Sequence, residues 1–322
     1  MTDDRCPQAA LSIDVDTLYS LFGATYKGDG EIIYDHAMPR FLELMDELEI
    51  RTTLFVVGQD LARSATARRL VQAASTAGHE IGNHTEGHIQ GLCYLTPKDQ
   101  AHEIAVAQAR IEDITGLPVH GFRAPGWNVG STTLDILEAG GYRYDSSVMP
   151  SSANAALKLM HWISTRGAEP TRRRTLGSLL HTIAPTAPYR PGHRPWHRGE
   201  RTLIEVPLTV TPVLRLPFFG TFHLSSPWSF RMSAHSMRRI RRPVNYELHA
   251  VEFCDSEADG ARAALEGLTG LYVPPTLSME LPRKLAFLRK ALSTMHAWRP
   301  LGPISELAAW WAQRLPTERE TA

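Results

Sequence analysis

Four short segments hold the residues able to do chemistry. They are Asp14-Val15-Asp16, His84 with His88 in Asn83-His84-Thr85-Glu86-Gly87-His88, Arg123 in Phe122-Arg123-Ala124-Pro125, and His249 after Leu248. Two imidazoles four positions apart can face the same way on a helical turn. Neutral imidazole is a common zinc ligand, and two histidines with one carboxylate leave metal positions open for water and substrate. A second carboxylate that is not a ligand can accept a proton from that water. Asp14 and Asp16 point to the same side of an alternating strand, so one can bind metal while the other serves as base. Arg123 can hold the base ionised through a charge-assisted pair. His249 can protonate a leaving amine. Together these groups suit hydrolysis of an amide or ester carbonyl.

The elements that must carry these groups read as alternating strands and helices. Ala9 to Val15 reads as a buried strand, Asp35 to Leu48 as a helix and Thr52 to Val57 as a strand. Leu61 to Ala77 reads as a helix closed by Gly78, and His79 to Gly82 as the strand before His84. Thr96 caps and Pro97 opens a long helix to Thr115, with Gly116 after it. Val119 to Phe122 is a strand, Thr132 to Ala139 a helix and Tyr142 to Asp145 a strand. Strands resume at Leu203 to Val210 and Tyr246 to Phe253. Helices close the chain at Leu281 to Trp298 and Ser305 to Arg314. This rhythm predicts a parallel sheet covered by helices, with all four segments on one rim.

The charge count excludes some partners. The 322 residues carry 34 basic and 34 acidic side chains, so nothing global attracts nucleic acid. Cys6, Cys93 and Cys254 are widely spaced and form no CxxC, which fits a reducing compartment. No apolar run approaches the ~20 residues that span a bilayer. A cytoplasmic protein is expected, with peripheral contact at the inner face of the membrane as a further expectation. That contact is assigned to residues 151–201, which hold nine basic and two acidic residues. Leu157, Met160, Trp162, Ile163, Leu176, Leu179 and Leu180 are interleaved with those charges, as in a helix lying on an anionic leaflet. An ordinary solvated insertion is the alternative. Pro185 to Pro195 reads as loop. His161, His181, His193 and His197 read as surface residues. Trp127 and Trp228 read as core, with sugar stacking as a second reading. Phe218, Phe219 and Phe222 either join the interfacial surface or fill the barrel.

The motifs together resemble the polysaccharide deacetylase family (carbohydrate esterase family 4). Ser12-Ile13-Asp14-Val15-Asp16 is similar to its aspartate motif and His84 to His88 to its H-[ST]-x-x-H motif. Phe122 to Trp127 resembles the R-x-P motif, Tyr144-Asp145-Ser146-Ser147 stands where the fourth is expected, and Glu247-Leu248-His249 matches the L-x-H motif. The resemblance spans about residues 9 to 253. It implies a distorted (β/α)7 barrel and metal-dependent removal of acyl groups from sugars. It implies Asp14 as base, Asp16, His84 and His88 as metal ligands, Arg123 as the residue that orients the base, and His249 as acid. The metal expected is zinc, with iron, cobalt or nickel as alternatives.

Three departures bear on the substrate. The D-x-D spacing is similar to the branch holding lipid-linked aminoarabinose deformylases and allantoinase-like amidohydrolases. Gly126 replaces the aromatic that usually follows the proline of the third motif. The aspartate-tryptophan pair of the fourth motif is missing, which leaves Asp145 as the expected partner of Arg123. These departures favour an acylated amino sugar, small or carried on undecaprenyl phosphate, over a long polymer. The alternatives are an allantoinase-like amidohydrolase acting on a small cyclic or ureido amide and a non-catalytic carbohydrate-binding barrel. The domain reading is one barrel over 1–315, with 151–201 inserted and 316–322 a frayed tail.

Overall fold

Strand β1, Ala9–Val15, is buried along its whole length, which explains its nearly unbroken apolar sequence. In the computed structural model, which describes residues 9–22, 31–156, 159, 178–239, 242–265 and 275–316, β1 is an inner strand of a parallel sheet. On one side come β2 (Thr53–Val56), β3 (Glu80–Asn83), β4 (Gly121–Phe122), β5 (Tyr144–Asp145) and β6 (Ile204–Glu205). On the other comes β7 (Val244–His249), and β8 (Leu301–Gly302) pairs with the start of β1. The sheet curls until residues past β6 reach β7. No regular ladder joins them there. Instead Thr209 N–H donates to Asn245 O at 3.2 Å, and Asn245 N–H donates to Thr209 Oγ1 at 2.7 Å. This is the expected distorted (β/α)7 barrel. The predicted strand Leu203 to Val210 keeps only Ile204–Glu205 in a named strand, because beyond it the backbone makes single bonds to different segments, Leu208 N–H to Val148 O at 2.9 Å and Thr209 N–H to Asn245 O at 3.2 Å, and no continuous ladder.

Other boundaries shift for local reasons. The long helix Pro97–Thr115 forms as expected: Thr96 Oγ1 accepts from Asp99 N–H, and Gly116 closes it at φ +68°. The helix expected over Leu61 to Ala77 is two, Gly58–Arg63 and Ala65–Thr76. Ser64 separates them because its Oγ accepts Ala67 N–H and starts the second as an N-cap. The helix expected from Asp35 enters through a wide turn, Ile33–Ala37, before Met38–Glu47. Pro39 sits in the first turn of the second piece and has no N–H to donate. The strand expected to run to Phe253 stops at His249 and becomes a 3-10 turn, Ala250–Phe253.

His181 is buried, 5.8 Å from the Trp196 ring, and not a surface residue as expected. Phe218 packs inside against His223 and Tyr246, so it fills the barrel. Of the basic insertion, residues 157, 158 and 160–177 lie outside the described residues, and with them Leu157, Met160, Trp162, Ile163, Leu176 and His161. The tail from 317 also lies outside them. Among the described residues no helix is long and apolar enough to cross a membrane.

Candidate active site

Three ligand-type side chains meet on the rim where the strands end. Asp16 follows β1, and His84 follows β3; all three, with His88, are buried. Their spacing does not come from a helical turn, as the sequence suggested. Thr85 and His88 take φ +67° and +50°, and side chains pin the bend. Thr85 N–H donates to Asn83 Oδ1 at 2.7 Å, and His88 N–H donates to Thr85 Oγ1 at 3.1 Å. His84 Nε2 lies 3.3 Å and His88 Nε2 3.1 Å from Asp16 Oδ1.

The other ring nitrogens decide what this cluster can hold. His84 Nδ1 is 2.7 Å from Arg123 O, and His88 Nδ1 is 3.0 Å from Ser20 O. A carbonyl oxygen only accepts, so each Nδ1 donates. In the neutral rings both Nε2 atoms then present lone pairs toward a carboxylate oxygen. Three acceptors pointing at one another repel unless a cation sits among them. Carbonyls that fix the tautomer are the usual outer support of a histidine metal ligand. Asp16, His84 and His88 therefore fit a divalent metal of the kind the family motif implies. With the rings protonated instead, burial still raises the Asp16 pKa, but the charge and hydrogen bonds of His88 and His84 outweigh it and hold the carboxyl well below its usual range.

Asp14 stands beside this triad, 3.8 Å from His84 Nε2. Arg123, just past β4 and 0% exposed, donates from Nη1 to Asp14 Oδ1 at 2.5 Å. Its Nε donates to Ser146 O at 3.0 Å and its Nη2 to Ser146 Oγ at 2.9 Å. The Phe55 ring lies against the guanidinium, 4.3 Å from Cζ to centroid. Gly82 makes this possible, since a Cβ there would come within 2.6 Å of Phe55. The second carboxylate near Arg123 is not Asp145 but Glu247, 3.4 Å from Nη1. Trp127 Nε1 also donates to Glu247 Oε1, at 3.1 Å. Gly126 and Trp127, at φ +60° and +56°, turn the chain so that the half-buried indole reaches back to it. Trp228, by contrast, is exposed and not core.

Asp145 lies one layer further in. Its Oδ1 accepts from Ser147 Oγ at 2.5 Å, and Glu205 is its register partner on β6. Burial lifts the Asp145 carboxyl to about 6, against partial relief from Glu205 and Ser147. Burial and then the Asp145 charge lift Glu205 well above its ordinary value. This pair fixes the loop that holds Arg123: Glu205 Oε1 accepts Val148 N–H at 3.0 Å, and Ser147 Oγ accepts Ala124 N–H at 2.8 Å.

His249 ends β7, in register with Asp14. Its Nδ1 is 3.9 Å from Glu252 Oε1 and 3.3 Å from Thr221 Oγ1, and Thr221 also donates to Glu252. Burial lowers the His249 pKa, but Glu252 at 3.9 Å, Glu247 and Asp14 raise it to about 10, which favours the protonated imidazole. Every residue singled out from the sequence is thus brought to one rim, with Asp145 as an indirect support. Glu247, Glu252 and Glu205 were missed. For Glu247 a signal existed, since alternation along β7 puts Asn245, Glu247 and His249 on one face. Glu252 carried none, because only the turn after β7 returns it to His249.

Fold and cluster define a parallel β/α barrel with a candidate hydrolytic centre on its C-terminal rim. The polysaccharide deacetylase family model matches residues 19–144. A peptidoglycan deacetylase of Helicobacter pylori is 26% identical over 44% of this chain and 49% of its own. A chitooligosaccharide deacetylase of a Bradyrhizobium species is 29% identical over 46% and 61%. A Shewanella sediminis protein assigned as a 4-deoxy-4-formamido-L-arabinose-phosphoundecaprenol deformylase is 29% identical over 31% and 33%. The chain thus spans about a third to three fifths of the length of these relatives. A crystal structure assigned to the polysaccharide deacetylases, from Mycobacterium smegmatis, superposes with TM-score 0.59 at 18% identity, covering 98% of this chain and 94% of the other. The chain is similar to the polysaccharide deacetylase family over residues 19–144, and it shares the fold of the Mycobacterium smegmatis structure.

Proposed function

We propose that the protein is a metal-dependent hydrolase that removes an N-acyl group, acetyl or formyl, from an amino sugar. One observation carries this reading. The three convergent acceptors Asp16, His84 and His88 lie beside a carboxylate, Asp14, that is paired to a buried arginine and has the His249 ring on its other side. A divalent cation at that triad, most simply zinc with iron, cobalt or nickel as alternatives, would acidify water and polarise the acyl carbonyl. Asp14 takes a proton from the attacking water, and Arg123 fixes its orientation. His249, braced by Glu252 and Thr221, gives a proton to the leaving nitrogen. Asp145 acts through Ser147 on the loop that carries Arg123. The test is release of free amine from N-acetyl- and N-formyl-hexosamine conjugates by the zinc-loaded protein, with allantoin in parallel. Turnover of allantoin alone would establish the allantoinase-like amidohydrolase. Tight metal binding without turnover of any substrate would establish a carbohydrate-binding barrel.

A lipid-carried substrate has its own support. Leu179, Leu180 and Ile183 are exposed next to Val213, Leu214 and Leu216. Arg215 joins the two segments by donating to Thr182 O and Ala184 O. Val213 is 96% exposed at φ +63°, an unfavourable backbone for a β-branched residue. These segments belong to the excursions that follow β5 and β6, the strands that end in Asp145 and Glu205. An apolar rim there suits a polyprenyl-phosphate sugar presented at a bilayer. Flotation on anionic liposomes should recover wild-type protein but not Ile183→Ser/Val213→Ser/Leu214→Ser. Equal recovery of both would overturn the lipid-carried reading.

A further inference from the structure

Between Glu205 and Glu247 the chain has no acidic residue, yet it carries six arginines in those 41 positions. Three of them, Arg231, Arg238 and Arg239, lie on the helix Pro227–Arg239. The inner face of this helix is buried through Phe230, Ser233, Ala234 and Met237, and Phe230 packs on Phe218 and Phe287. Its outer face is of a different kind. Trp228 is 68% and Met232 66% exposed. At about 100° per residue they share one strip with Arg239, and Arg231, His235 and Arg238 run along its edge. The three arginines are exposed, and among the described residues no carboxylate pairs with them. Arginines in a last turn can also answer the helix dipole. Here Arg299 does so, since its Nη2 donates to Met237 O at 3.1 Å and its Nη1 to Arg242 O.

We propose that this outer face seats the protein on an anionic phospholipid bilayer. The arginines take lipid phosphates, and Trp228 and Met232 enter the boundary between headgroups and acyl chains. The two kinds of side chain together select this occupant. Guanidinium forks match phosphate, and an indole suits a surface that is apolar on one side and wet on the other. A polynucleotide would use the arginines but leave Met232 in water. A second copy of the same face would set arginine against arginine. The helix also adjoins the apolar turn described above, because Arg242 Nη1 donates to Thr186 Oγ1 at 3.2 Å, three residues beyond Ile183. At its other end it follows the short helix Gly220–Ser225, whose Thr221 reaches His249. Weak anchors hold a protein stably only in combination. The apolar turn and the basic helix are thus two parts of one seat, and loss of either releases the protein. This attachment belongs to the protein itself and stands whether or not the substrate carries a lipid.

The test is co-sedimentation with vesicles of phosphatidylcholine alone and of phosphatidylcholine mixed with phosphatidylglycerol. Near an anionic leaflet each arginine is worth about fivefold in partitioning. Wild type should therefore partition at least about tenfold more onto the mixed vesicles, and strong salt should abolish that excess. Arg231→Gln/Arg238→Gln/Arg239→Gln should lose the excess at low salt. Trp228→Phe should lose most of the fluorescence quenching that brominated lipid produces in wild type. The replaced side chains are exposed and none belongs to the proposed active site, so amine release from water-soluble acylated sugars should match wild type. Equal partitioning of wild type onto both vesicles, an excess kept by the arginine variant, or unchanged quenching in Trp228→Phe overturns the proposal. Capture by single-stranded RNA in preference to mixed vesicles overturns it as well. Vesicle binding as expected without amine release from any acylated sugar refutes the hydrolysis and leaves the seat standing.

Discussion

Replacing Arg123 by methionine tests how the site is held together. The guanidinium is wholly buried and has four hydrogen-bond or ion-pair partners: Asp14, Glu247, and the carbonyl and hydroxyl of Ser146. Methionine keeps much of the volume against Phe55 but leaves the Asp14 carboxylate buried without its counter-charge. Breaking a buried pair from one side costs about 3–5 kcal/mol. The orphaned Ser146 carbonyl adds about 1 kcal/mol or more. A total loss of about 4–6 kcal/mol is expected in urea unfolding at pH 7 on metal-free protein. Arg123→Met/Asp14→Asn removes the stranded charge and should recover at least about 2 kcal/mol of that loss, as coupled neighbours do. Amine release by Arg123→Met should fall by about 10² or more, the scale of a disabled general base. A single-variant loss below about 1 kcal/mol, or a double variant as unstable as the sum of the two singles, would refute this account of the ion pair.

Other outcomes follow from neighbouring residues. By calorimetry after chelator stripping, wild type should take up one divalent cation. His84→Ala and His88→Ala should weaken that binding at least about 100-fold, and Asp14→Asn should retain it; loss in Asp14→Asn with retention in Asp16→Asn would reverse their roles. Glu31 is buried, and its carboxyl is raised from 4.5 to about 7. Its native state therefore binds the proton more tightly than the unfolded chain, so its contribution to stability falls as pH rises from 4.5 through 7. A shift of this size amounts to about 3 kcal/mol. Glu31→Gln should thus gain about that much on wild type between pH 4 and pH 8 in urea unfolding, and parallel pH profiles would contradict the shift. Gly82→Ala should cost about 1–3 kcal/mol, because its methyl displaces Phe55 from beneath Arg123, and a neutral result would show that Phe55 has room to move.

How much of this could be read from the sequence depended on how local each constraint is. Helix Pro97–Thr115 was legible because Thr96, Pro97 and Gly116 settle its ends within their own turns. Strand β1 was legible because both of its faces are covered. The break at Ser64 was hidden, since the apolar pattern continues through it while the side-chain cap divides the helix. The metal-type triad was legible by residue type but not by geometry. Spacing of four suggested a helical turn, whereas Asn83 and Thr85 build a left-handed bend instead.

The support of Arg123 shows why the remaining carboxyls were harder to find. The sequence offered Asp145 because it stands in the expected motif, and a strand-end acid is a natural partner for a strand-end arginine. Barrel curvature decides otherwise. Asp145 and Glu205 are register neighbours, so their carboxyls face each other, and burial raises the pKa of both. The Ser147 hydroxyl, donating to Asp145 and accepting from Ala124 N–H, carries the pair's influence onward to the residue after Arg123. Glu247 reaches the guanidinium directly because register sets Ser12 beside Glu247 and Asp14 beside His249, so base, arginine and acid close around it. Such contacts join residues more than a hundred positions apart. They exist only once the sheet has curled, and no pattern confined to one segment can specify them.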